Sequence, residues 1–113
     1  MQRPEAVLVA TTERPAGYEV VETLGQVFGV VVRSRGLGAN IVAQLRTLGG
    51  GEITEFTRLV EDTRRHAMDR MVENARARGA NAVLMMRFDS SELGQSMAEV
   101  VAYGTAAIVE RSK

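Results

Sequence analysis

The sequence predicts an α+β subunit in which a small antiparallel or mixed sheet packs on one long helix, within a single domain of residues 1–113. Three observations carry that expectation. Several segments rich in β-branched residues are separated by Gly and Pro punctuation. One segment between them repeats apolar residues at spacings of three and four, the helical period. The last two β-rich segments are apolar on both alternating faces, which a single helix cannot cover.

Val7–Thr12 reads as a short first strand, stopped by Glu13-Arg14-Pro15-Ala16-Gly17, where Pro and Gly punctuate a turn. Tyr18–Thr23 and Gln26–Arg33 read as two strand segments, because Gly25 and Gly29 suggest a bulge, bend or hairpin turn between and within them. Ser34–Asn40 has no periodicity and reads as a loop. Ile41, Val42, Leu45 and Leu48 then recur at helical spacing before Gly49-Gly50-Gly51, which fits a short helix of about two turns.

From Glu52 to Arg78 the residues Ile53, Phe56, Val60, Ala67, Met71 and Ala75 form one apolar stripe. The opposite face carries Glu55, Arg58, Glu61, Asp62, Arg65, Asp69, Glu73 and Arg76, with Glu61 and Arg65 at the favourable acid-first spacing of four. Arg76 and Arg78 suit the negative end of the helix dipole, and Gly79 is a natural stop. Asn81–Asp89 and Met97–Val109 read as two strands of a hairpin around the turn-rich Ser90–Ser96. Their apolar residues alternate to both sides: Val100, Ala102, Ala106 and Ile108 on one, Val101, Tyr103, Ala107 and Val109 on the other. The face away from the helix needs another cover, and a second subunit is the simplest. Small domains also gain stability by association.

Composition narrows the function. Fourteen Lys+Arg balance fourteen Asp+Glu, so no long-range field draws the chain to nucleic acid or an anionic membrane. Five aromatics, none in a stacking motif, add nothing for nucleic acid. No uncharged apolar stretch approaches the roughly 20 residues needed to span a bilayer, and the amino terminus lacks a signal-peptide core. The expectation is a soluble cytoplasmic protein. With no Cys, disulfides, thiolate metal sites and thiol nucleophiles are excluded. Thirteen of the basic residues are Arg, which suits recognition of carboxylate or phosphate, but codon bias in a GC-rich genome is the preferred explanation.

Four constellations invite a chemical reading. Gly36-Leu37-Gly38-Ala39-Asn40 resembles an anion-cradling loop before a helix, yet Ile41 stands where a dinucleotide fingerprint needs Gly and no P-loop Lys-Ser/Thr follows. A turn at the glycines with Asn40 capping the helix is the simpler account. His66, the sole histidine, has Asp62 one turn before it and Arg70 one turn after; a His-carboxylate pair supplies two metal ligands or a polarised base, but not a whole zinc site. Met68, Met71, Met85, Met86 and Met97 offer thioethers to a soft metal such as copper(I), although core packing explains methionines at lower cost. Ser90, Ser91 and Ser96 share a loop but have only His66 as a base and no nucleophile-elbow pattern, so enzymatic hydrolysis is not expected.

The order of motifs carries more than any one of them. Arg33, then Gly36-Leu37-Gly38-Ala39-Asn40-Ile41, then Gly50-Gly51-Glu52, then a long helix with Arg64, Ala67 and Met71, then Gly79-Ala80-Asn81-Ala82-Val83, Phe88-Asp89 and Gly104-Thr105-Ala106 resembles the YbjQ-like family from about Val7 to Val109. The resemblance implies a subunit architecturally related to dodecin-type folds, assembled as a homopentameric ring, in a family described as binding heavy metals without an established activity. On that reading the chain is a non-enzymatic ring protein with a metal-ion or small-ligand site at its subunit interfaces, its cofactor unidentified and a metal ion the one to consider. Arg33, Gly36, Gly38, Asn40, Glu52 and Asp89 are the ligand-binding candidates, with His66 and Asp62 the weaker ones for a metal. The alternative is a structural or protein-interaction module in which the same motifs serve turns, caps and subunit contacts.

Overall fold

The computed structural model describes residues 3–4, 6–34, 54–93 and 97–113. Its elements are β1 (Leu8–Val9), β2 (Tyr18–Ser34), α1 (Thr54–Ala77), β3 (Ala82–Leu93) and β4 (Met97–Arg111). The four strands form one mixed sheet in the order β1-β3-β4-β2. β1 runs parallel to β3, while β4 is antiparallel to both β3 and β2. β2 and β3 therefore point the same way with β4 inserted between them, and α1 covers one face of the sheet. The short helix expected around residues 41–48 lies outside the described residues. Among those described, no helix is long and apolar enough to cross a membrane.

Several expectations change in detail. The first strand is two residues long rather than six, because beyond Val9 the chain continues along β3 through separate hydrogen bonds: Met86 N–H to the Ala10 carbonyl, 3.0 Å, and Met85 N–H to that of Thr12, 3.1 Å. The two segments between Tyr18 and Arg33 are one 17-residue strand. Gly25 sits in a bulge with φ +99°, as its conformational freedom allows, but Gly29 stays in register opposite Ala102. The turn expected over Ser90–Ser96 is shorter: Ser90 to Leu93 extend β3 and pair with β4 as far as Met97.

α1 lies close to β2 because both surfaces are small where they meet. A Cβ at Gly29 would collide with the backbone carbonyl of Ala67 and the backbone amide of Met71. Ala67, Met71 and Ala75 are fully buried there, and Thr63 extends the same row one turn earlier, its hydroxyl donating to the Leu59 carbonyl at 2.8 Å. Val60, expected on this stripe, is 39% exposed, because the four-residue spacing from Ala67 passes through Thr63 instead. Asp62, not Glu61, pairs with Arg65, at 3.7 Å. The helix ends in a Schellman arrangement: Ala80 N–H donates to the Ala75 carbonyl and Gly79 N–H to that of Arg76, both at 3.0 Å, with Gly79 at φ +86°.

Two cores result. On the helix side Val27, Val31, Val83, Met86, Ala102 and Ala106 pack with the buried row of α1. On the opposite side Ala82, Leu84, Ala107 and Val109 form a second cluster, joined by Leu8, Ala10, Tyr18 and Val20. A bulge at Met85, φ +55°, makes this division possible in β3. It inserts a residue after Leu84, so Met86 and Phe88 rejoin the face of Val83. Gly104 accommodates it from β4, since a Cβ there would lie 2.6 Å from Val83 Cγ1 and 2.8 Å from the Leu84 carbonyl.

Candidate functional site

The inward face of β2 runs Val27, Gly29, Val31 and then Arg33, so alternation places a guanidinium where an apolar side chain would continue the core. Arg33 is half-buried, and its Nη2 donates to Nδ1 of His66 at 2.8 Å. The imidazole is exposed, on the turn of α1 just before the close approach at Gly29. Since arginine has only donors, Nδ1 accepts here and is closed to a metal while the bond holds. Arg33 Nε is buried and has no hydrogen-bond partner among the described residues. An unmatched buried donor costs about 1–3 kcal/mol, so such an atom calls for an acceptor.

His66 heads a polar row that the sequence reading overlooked. Arg70 donates to the Val30 carbonyl at 2.6 Å, Asn74 to that of Phe28 at 2.7 Å, and Arg78 to that of Gln26. β2 is the outer strand, and alternate carbonyls of an outer strand have no sheet partner. Helix side chains take their place. The signal was available: positions 66, 70, 74 and 78 repeat every four residues directly beside the buried row 63, 67, 71 and 75. Further toward β3, the Arg64 guanidinium lies 5.4 Å from the centre of the Phe88 ring.

The remaining candidates do not converge on Arg33. Asp89 is exposed on the other face of the sheet, opposite Val101, and its Oδ1 accepts from the Ser90 amide at 2.9 Å. Asp62 pairs with Arg65 rather than forming a dyad with His66. Gly36, Gly38, Asn40 and Glu52 lie outside the described residues. The methionines divide: Met71 and Met86 are buried in the helix-side core with Met68 against it, whereas Met85 and Met97 are exposed. Ser91 donates to Glu99 at 3.2 Å. Among the described residues no three His, Cys, Asp or Glu side chains come together to hold a metal ion. The group bonded to His66 is a guanidinium, which repels a cation, and with no cluster of ligands beside it the described residues do not fit a resident metal.

Comparison with known proteins accords with the fold. The family model described as "Putative heavy-metal-binding", that of YbjQ, matches residues 7–110. A UPF0145 protein of Bradyrhizobium sp. (strain ORS 278) is 58% identical over 108 residues, covering 96% of this chain and 97% of the relative. One from Saccharolobus solfataricus is 57% identical over 106 residues, covering 94% and 93%. A solved structure of a DUF74-family protein of unknown function from Pediococcus pentosaceus superimposes with a TM-score of 0.59 over 92% of this chain and 98% of its own, at 12% identity. With sequence, fold and the order of motifs in agreement, the chain belongs to the YbjQ family of UPF0145 proteins.

Proposed function

We propose that the protein is a non-enzymatic subunit of a cytoplasmic homopentameric ring that binds a small ligand at its subunit interfaces. The supporting observation is the bare half of the sheet. Phe28, Val30 and Val32 are 47%, 38% and 50% exposed on the face away from α1, beside half-buried Val101 and Tyr103 and exposed Met97. An apolar strip of this kind, broken by Glu99 opposite Val32, is a place for another copy. Sheet extension through the middle of β2 is disfavoured, because Arg70, Asn74 and Arg78 already occupy its carbonyls. That favours the face of the sheet as the contact, and if it meets an unlike patch of the next copy at a rotation that closes, the assembly is a ring. Five is the number the family resemblance implies. Arg33 and Asp89 lie on opposite faces, so a site using both draws them from two copies.

Native mass spectrometry of the intact chain tests both halves of this reading. A mass of five subunits plus a stoichiometric increment is expected, and Phe28→Asp should shift the population to single subunits with unchanged circular dichroism. A single-subunit mass for the native chain would defeat the ring. A ring without any increment would favour the structural module.

A further inference from the structure

We propose that Arg33, held by His66, binds a small oxyanionic group, a phosphate or a carboxylate. This deepens the ligand half of the function proposed above and rests on that half alone, not on the ring.

Three observations converge. The Arg33 Nε donor is buried without an acceptor among the described residues, although the guanidinium stands at the end of an apolar row where desolvation makes an unmatched charged donor costly. Among the described residues its bonded neighbour is an imidazole and not a carboxylate: Nη2 donates to His66 Nδ1 at 2.8 Å, a contact that orients the guanidinium without cancelling its charge. Nη2 carries two hydrogens, so one bond to His66 leaves a second, and with His66 on the hydrogen that faces Nη1 the remaining N–H lies beside Nε–H, a pair that matches two oxygens of a carboxylate or phosphate. Finally, Arg70 stands one turn after His66 along the same edge of α1, on the Val30 carbonyl of β2, and places a second guanidinium beside the pair. No described carboxylate is paired with Arg33. A site of this composition selects an anion and rejects the divalent or soft cation that the family description suggests.

The Arg33 Nε–H resonance, followed by 15N-edited NMR on the intact chain, reads this directly. Inorganic phosphate and succinate serve as the two anion probes and Zn2+ as the cation. Saturable displacement of the Arg33 Nε–H signal by at least one anion is expected, and the stronger of the two identifies the group. Arg33→Lys, which keeps the charge and loses the fork, should weaken that anion at least tenfold. Should Arg33→Lys fail to fold, the displacement in the native chain still decides. An Nε–H signal unmoved by either anion, unweakened binding in Arg33→Lys, or displacement of the His66 ring signals by Zn2+ in place of anion would each overturn the proposal. Native mass measured on the same sample separates the two readings: single subunits that bind anion retire the ring and keep the site, whereas a ring that binds none retires the site.

Discussion

Gly29 and Val30 are neighbours in β2, and they belong to different environments. Gly29 lies under α1 with no room for a single carbon, while Val30 stands 38% exposed on the other face. Lower in the sheet the same two faces are both sealed, the far one by the cluster of Ala82, Leu84, Ala107 and Val109. There the amino-terminal segment reaches the far face through Leu8 and Ala10, with Tyr18 and Val20 of β2 beside them, whereas Phe28, Val30 and Val32 stay exposed. Apolar alternation therefore marks a face for covering, and the reach of the chain's own segments decides whether the subunit covers it alone.

Substitutions at graded positions sharpen this contrast. Gly29→Ala should be the most damaging, costing at least about 3 kcal/mol in denaturant unfolding, because backbone of α1 rather than a movable side chain must give way. A loss under about 1 kcal/mol would show that the helix lifts off β2 freely. Asn81→Ala comes next. Its side chain donates to the Val109 carbonyl at 2.9 Å and accepts from the Val109 amide at 2.8 Å, tying the end of α1 to the sealed half of the sheet. Removing both bonds should cost about 1–3 kcal/mol by the same measurement.

Val30→Thr should cost the isolated subunit no more than about 0.5 kcal/mol. Its effect should instead appear as a melting temperature more dependent on protein concentration than the native one, since the methyl lost belongs to the contact between copies. Equal effects at all concentrations would assign Val30 to the interior of the subunit. Arg65→Ala, on the solvent face of α1, should change stability least, within about 0.5 kcal/mol, because its 3.7 Å pair with Asp62 is exposed on both sides.

The sequence by itself determined the elements whose signals are local. The stripe through Ala67, Met71 and Ala75 and the stop at Gly79 define α1, since period and cap both lie within one segment. The division of β4 into two apolar sets was also legible, because Ala102 and Ala106 do face one core and Ala107 and Val109 the other. Val60 misled, as a valine at helical spacing gives no sign that the row through Thr63 is the one that meets the sheet.

Only the tertiary structure decided the rest. The bulge at Met85 that returns Met86 and Phe88 to the helix side is fixed by Gly104 across the hairpin and by the amino-terminal segment at its edge. The candidate site is non-local in the same way. His66 was read with Asp62, its neighbour on the helix, whereas its hydrogen bond goes to Arg33, brought near by the packing of α1 on β2. Asp89, grouped with Arg33 by its place near a strand end, falls on the opposite face through simple alternation once the register with β4 is set. Propensity and period are properties of a segment, while register, close approach and the pairing of charges are properties of surfaces that meet only when the chain has folded.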